Sequence, residues 1–320
     1  MSESTKISPS VSFIDVTSED AGQRIDNFLL RYFKGVPKSH VYRMLRKGEV
    51  RVNKGRIKAV YRLQTGDRIR IPPVRVEQST PSVPSEKLQA RLDGAILYED
   101  ERILVINKPS GMAVHGGSGL SAGVIEALRA SRPDAARLEL VHRLDRDTSG
   151  CLLISKKTAV LRTLHELMRD NRVDKRYLAL LAGSWRKGVK KVDAPLKKNT
   201  LQGGERVVRV DPEGKPAETR FRRLTRFAEA TLVEVELITG RTHQIRVHSA
   251  WLGSPVLGDT KYGDETANRQ MRELGLKRLF LHAHRISFRW PGEKRDMVVE
   301  APLPEELETV LTKLNQFNEV

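Results

Sequence analysis

The chain has 320 residues, 39% of them hydrophobic and 30% charged, which is the composition of a globular chain long enough for two domains. Lys and Arg number 57 against 40 Asp and Glu, a formal net charge of +17, and such an excess points to a polyanionic partner, nucleic acid before an acidic membrane surface. No run approaches the ~20 apolar residues of a membrane span, the polar start lacks a signal-peptide core, and a single cysteine, Cys151, excludes an internal disulfide and a Cys-based zinc site. A cytoplasmic, monomeric protein is expected. In chain order, residues 1–12 read as a disordered tail. Ile25, Phe28, Leu29, Tyr32 and Phe33 recur at helical spacing and predict a helix over 24–33. A second short helix follows, with Ser39 as its N-cap, Val41, Tyr42 and Leu45 as its buried side and Gly48 ending it. Alternation over 49–53 and 68–71 predicts two strands.

This first unit, residues 13–73, holds fourteen Lys and Arg against six Asp and Glu, an excess of eight. Arg43, Arg46, Lys47, Arg51 and Lys54 gather at the second helix and the turn after it, a pattern suited to a phosphate backbone. The bland alternative is a solvated charged face. With Arg24-Ile25-Asp26, Phe28-Leu29, Ser39, Arg43, Gly48 to Asn53 and Gly66-Asp67, the unit resembles the S4 RNA-binding domain.

Residues 74–94, rich in Pro and Ser without an apolar period, read as a linker that lets two modules grip one RNA. A second domain is expected over 95–320. Ala95 to Tyr98 and Ile103 to Ile106 read as buried strands, residues 107–111 as a turn, 115–119 as a glycine-rich loop and 124–130 as a short helix. Leu138 to Val141 and Cys151 to Ser155 read as strands, 158–170 as an amphipathic helix and 175–181 as a strand. Residues 185–210, with Lys197 and Lys198, read as turns and a basic hairpin on the nucleic-acid side. Strands are expected over 219–227, 231–238, 279–288 and 297–300, a helix capped by Thr242 running to Leu252, and a terminal helix over 305–317. Strands outnumber helices and many neighbours read as antiparallel. The expected class is α+β on one mixed, mostly antiparallel sheet.

The chemistry concentrates in His142-Arg143-Leu144-Asp145-Arg146-Asp147-Thr148-Ser149-Gly150, a charge-dense turn between two buried strands. A helix beginning at Thr242 places Ile245 and Arg246 in its first turn, where the dipole and a guanidinium attract a carboxylate. An Asp beside Arg in a partly buried cleft keeps its charge and can serve as nucleophile or base. Asp145 is the candidate, with Asp147 assigned to an Asx-type turn, and Arg241 is the alternative to Arg246 as its partner.

His142-Arg143-Leu144-Asp145 with Thr148-Ser149-Gly150, Lys175 with Tyr177, and Gly240-Arg241-Thr242-His243-Gln244-Ile245-Arg246-Val247-His248 resemble the motifs of the RluA-type pseudouridine synthases. Asn107 to Gly111 and Gly258-Asp259 with Tyr262-Gly263 agree with that resemblance. It implies the pseudouridine synthase fold, isomerisation of uridine to pseudouridine without cofactor or metal, and, with an S4 unit in front, 23S ribosomal RNA of the large subunit or its precursor particle as partner. By the same resemblance Asp145 is the catalytic carboxylate, attacking C1′ or removing a proton from C2′. Arg246 pairs with Asp145, Tyr177 stacks on the flipped base, Ile245 packs against the pocket, and Arg143 fills the place the uridine leaves.

Two other readings fit part of the pattern. The basic charge and the S4 unit alone suit a non-catalytic ribosome-assembly factor. A carboxylate-pair glycosidase could use Asp145 and Asp147, although residues so close in sequence lack a way to straddle a bond at ~5 Å or more. His243 and His248, five apart, do not share a helix face and bring no acidic ligand, so no metal site is expected.

Overall fold

The computed structural model describes residues 11–33, 36, 38–73, 85–116, 123–132, 137–185, 189–200 and 206–318. The chain divides into two units, Met1–Ser82 and Val83–Val320.

In the first unit, strands β1 (Ser12–Asp15), β2 (Arg51–Val52) and β3 (Arg68–Ile71) form an antiparallel sheet in the order β1-β3-β2. Helices α1 (Ile25–Tyr32) and α2 (Lys38–Lys47) share one core of Ile25, Phe28, Leu29, Val41, Met44, Leu45 and Ile69. Gly48, at φ +68°, ends α2. Its N–H reaches Leu45 O at 3.1 Å and that of Glu49 reaches Met44 O at 2.9 Å, the paired bonds of a Schellman motif. Three expectations shift. Ser39 lies inside α2 rather than at its cap, and Ser12 starts a strand instead of closing a tail whose residues 1–10 lie outside the described ones. Tyr42 is exposed, its hydroxyl donating to Asp26 Oδ2 at 3.0 Å, and Met44 takes the inward place.

The second unit carries a ten-stranded sheet. Its main order is β4 (Ile96–Glu99), β5 (Ile103–Lys108), β7 (Ser149–Ser155), β14 (Leu281–Phe288), β8 (Val173–Ala182), β13 (Ala230–Leu237), β12 (Glu218–Arg226) and β9 (Val189–Asp193). β6 (Glu139–Leu140) pairs with β7 and β15 (Met297–Glu300) with β14. β10 (Leu196–Thr200) and β11 (Arg206–Val210) form a separate hairpin. The helices are α3 (Glu86–Asp93), α4 (Val124–Ser131), α5 (Thr158–Arg169), α6 (Gln244–Trp251), α7 (Glu265–Glu273) and α8 (Glu305–Asn318).

Every residue of β7 is buried, because the strand is covered on both faces. Leu152 and Ile154 join a cluster with Leu104, Ile106, Val124 and Leu128, while Cys151 and Leu153 join Ile103, Val105, Leu164 and Leu167. The period-2 alternation of β5 and β7 therefore feeds two cores, one under α4 and one under α5. β7 and β14 run parallel, whereas the other named strand pairs are antiparallel. Gly150, at φ +111°, sits where β14 comes closest, and a Cβ there would meet the backbone of Ala283.

The mixed α+β architecture agrees with the sequence. Elsewhere the structure departs from it. The stretch from Glu86 is not featureless linker but helix α3, whose cap Ser85 accepts from Leu88 N and whose Leu92 is fully buried. Residues 189–193 join the main sheet as its edge strand instead of lying in turns. The proposed turn at 107–111 begins later, since β5 runs through Lys108. Part of the glycine-rich loop, residues 117–119, lies outside the described residues. Among the described residues no helix is long and apolar enough to cross a membrane.

Candidate active site

Asp145 sits in a turn between β6 and β7, its carbonyl accepting from Thr148 N at 3.2 Å. That backbone bond makes the turn. Asp147, expected to hold it with its side chain, is exposed, and its carbonyl accepts from Ser110 Oγ at 2.7 Å. Lys108 binds the same turn from below. Its ammonium, fully buried, donates to Pro109 O and Met112 O at 2.8 Å and to Arg146 O at 3.0 Å. Three donors meet three carbonyls, so none is left unsatisfied. Burial draws the Lys108 pKa down to about 7, with Asp147 and Asp145 pulling the other way. Arg146 Nε adds a bond to Gly111 O at 3.0 Å.

Across the cleft, Arg246 lies in the first turn of α6 and is 7% exposed. Its Nη1 is 3.4 Å from Asp145 Oδ2. Its stronger partner is Asp259, which accepts Nε at 2.7 Å and Nη2 at 2.9 Å in a bidentate pair. Asp259 in turn accepts from Lys261 N at 2.8 Å and Tyr262 N at 3.0 Å. Burial opposes both charges, but the mutual hydrogen bonds prevail, holding Arg246 above and Asp259 below their ordinary values. Arg241 points elsewhere, exposed and bonded to Pro216 O at 3.0 Å.

Tyr177 is buried at mid-strand in β8, opposite Val235. Burial and the neighbouring Asp145 carboxylate raise the pKa of its phenol, which stays protonated. Ile245 and Leu144 are buried beside it in the same cluster. Asp145, Arg246, Tyr177, Ile245 and Arg143 all line one inner chamber of about 80 Å³. It adjoins a cleft of about 830 Å³ bordered by Arg143, Lys175, Tyr177 and Arg241. Arg143 is exposed at the mouth. His142 accepts from Leu153 N at 3.1 Å through Nε2, and burial, with Lys175 nearby, lowers its pKa to about 4.

Residues 102–251 match the family described as RNA pseudouridylate synthase, and residues 23–69 match the S4 domain. The chain is 58% identical to the ribosomal large subunit pseudouridine synthase C of Escherichia coli strain K12 over 310 residues, 96% of this chain and 97% of that one. The protein of that name from Pasteurella multocida is 55% identical over 312 residues, 97% and 96% of the two chains. The chain belongs to the RNA pseudouridylate synthase family. The solved structure of human RNA pseudouridylate synthase domain containing 4 has the fold in common with this family member, with a TM-score of 0.60 at 28% identity, covering 72% of this chain and 96% of that one.

Within this family member the other sequence-selected residues fall apart from the chamber. Lys197 and Lys198 border a neighbouring groove that shares Gly240 and Arg241 with the chamber. Lys197 is already engaged by Glu213 at 2.5 Å and Asp211 at 3.9 Å, while Lys198 is exposed. Arg43, Arg46, Lys47, Arg51 and Lys54 are exposed on the first unit, Arg51 Nε donating to Gly48 O at 3.2 Å. Thr242 does not cap α6. The cap is His243, in left-handed conformation at φ 54°, and the Gln244 side chain accepts from Arg241 N at 3.0 Å instead. Sequence reasoning assigned no role to Asp259, Lys108 or Tyr262. The Gly-Asp-x-x-Tyr spacing at 258–262 carried the signal for the first and last, since an Asp that turns the chain also aims a fixed carboxylate. A lysine just before proline in a buried strand carried it for Lys108. Two more histidines are held at both ring nitrogens. His282 bonds Ser149 Oγ at 2.9 Å and Ala301 O at 3.2 Å, and His248 bonds Thr219 Oγ1 and Ala194 O, each at 2.9 Å.

Proposed function

We propose that the chain isomerises uridines to pseudouridine in large-subunit ribosomal RNA, with Asp145 as the catalytic carboxylate. The observation that carries this reading is the meeting of Asp145, Arg246 and Tyr177 in one chamber of a chain 58% identical to a ribosomal large subunit pseudouridine synthase. In the reaction the N1–C1′ bond breaks and a C5–C1′ bond forms. The proton lost from C5 is balanced by one gained at N1, so mass is unchanged.

The target base must leave its stack to be turned over, which costs least in loops. Asp145 attacks C1′ or takes the C2′ proton, and Arg246 pairs with it and aims it. Tyr177 stacks on the uracil, with Ile245 behind it, and Arg143 occupies the vacated place in the RNA. Residues 13–73 serve as the S4 module and 95–320 as the catalytic domain. Arg43, Arg46, Lys47, Arg51 and Lys54 hold phosphates in the first, and Lys197 and Lys198 in the second. We place the protein in the cytoplasm, acting as a monomer.

Asp145→Asn tests the reading. Isomerisation should fall at least about a thousandfold while RNA affinity stays near that of the unaltered chain. Retained isomerisation would refute the mechanism. A wild-type chain that binds ribosomal RNA without isomerising it would favour the non-catalytic assembly factor.

A further inference from the structure

A third group faces Asp145. His243 Nε2 lies 3.9 Å from Asp145 Oδ2, and its Nδ1 lies 2.8 Å from the hydroxyl of Tyr262. That hydroxyl accepts a hydrogen bond from Val208 N, in β11, at 3.0 Å. A phenol has one proton to give, and Nδ1 lies within its reach. Donation to Nδ1 selects the neutral ring whose proton sits on Nε2, the atom turned toward Asp145. Burial lowers the pKa of His243, with Arg246 and Lys261 adding to it against Asp145, so the ring is neutral near pH 7.

His243 is held at φ 54° and ψ 21°, the left-handed region that asparagine and histidine enter more readily than most residues. Tyr262 is fixed on three sides. It bonds Val208 and His243, the Arg246 guanidinium lies 5.1 Å from its ring centroid, and its own N–H binds Asp259.

We propose that His243 is a positioning residue for Asp145, with the Tyr262 hydroxyl fixing the tautomer whose Nε2–H orients the carboxylate. The inference rests on Asp145 being the catalytic group. Two arginine-linked carboxylates and one imidazole then converge, and the 3.9 Å gap closes when RNA fills the cleft, as catalytic hydrogen bonds tighten in the bound complex.

Two measurements on the full chain test this. Nitrogen-15 NMR of histidine-labelled protein should show His243 as the Nε2–H tautomer, and Tyr262→Phe should shift it toward Nδ1–H. This readout does not depend on activity, so it stands or falls apart from the reading of Asp145. Single-turnover isomerisation of a ribosomal RNA fragment should fall about tenfold in Tyr262→Phe and in His243→Asn, with RNA Kd changed less than about twofold. Asparagine tolerates the left-handed backbone but is too short to bridge Tyr262 and Asp145. Because the two residues act as one unit, the double variant should be no slower than His243→Asn. An Nδ1–H tautomer in the unaltered chain, additive losses, or an effect confined to Kd would each overturn the proposal. A merely structural role would lower the melting temperature and leave the single-turnover rate of the folded fraction unchanged, which also counts against it.

Discussion

The salt bridge at Asp145 is the weaker half of a pair. Arg246 spends its fork on Asp259, whose side chain is fully buried, and offers Asp145 only a single 3.4 Å contact. Arg246 is thereby fixed by Asp259, and in the proposed mechanism Asp145 stays free to change its contacts during the reaction. Asp259→Ala should be costly, because it strands a buried guanidinium. We expect a loss of about 3–5 kcal/mol in urea unfolding, together with loss of isomerisation in the fraction that folds. Lys108→Met should leave three carbonyls without donors. It should lower stability by about 2–4 kcal/mol and slow single-turnover isomerisation more than it weakens RNA binding, because the loop it anchors carries Asp145. That Asp145, Arg246, Tyr177, Ile245 and Arg143 come together in one chamber was legible in the sequence, because each stands in a motif-like cluster. Asp259 and Lys108 act through another residue or through the backbone, and a sequence does not display which carbonyl an ammonium will find.

Strands and helices with strong periodicity were readable, and the elements that differ do so for tertiary reasons. Residues 86–93 lack a sustained apolar period, and buried Leu92 with partly buried Leu88 docks α3 onto the core. The edge strand β9 is rich in Lys and looks like a loop, yet its backbone completes the sheet beside β12, and edge lysines guard against further pairing. At the β7–β14 contact, Gly150→Ala would drive a Cβ into Ala283 and strain a positive φ. Its thermal midpoint should fall steeply, with a loss above about 3 kcal/mol in denaturant titration. Two histidines, His142 just after β6 and His282 in β14, are neutral near pH 7. His142 and His282 are both lowered from 6.5 to about 4 by burial. The unfolded chain takes up their protons first as pH falls, so stability is complete above pH 6.5 and is lost between 6.5 and 4. Each contributes on the order of 2–3 kcal/mol to that loss. Urea midpoints measured across this range should drop, and His282→Asn should flatten the slope.

At the scale of the whole molecule, the net charge of +17 is shared between two units of different purpose. Removing residues 1–73 should weaken affinity for ribosomal RNA and make the slope of log Kd against log salt shallower, by about 0.7–0.9 for each phosphate that the first unit neutralises. Asp145-dependent isomerisation of a short RNA at saturating concentration should survive. Failure of residues 74–320 to fold would count against separate modules. The basic excess of residues 13–73 was visible from charge alone. The pairing of β7 with β14 was not, because a parallel pair joins strands far apart in sequence.

That parallel pair has a consequence in time. The hydroxyl of Ser149 meets its imidazole partner 133 residues further along, at His282, so the strand that carries the Asp145 loop waits for the chain's last third. At about 5–20 residues per second, synthesis alone imposes a delay of roughly seven to twenty-seven seconds between the two strands. The first unit needs nothing beyond Ser82 to complete its core. A nascent chain therefore acquires a surface for holding RNA well before it acquires the means to alter it.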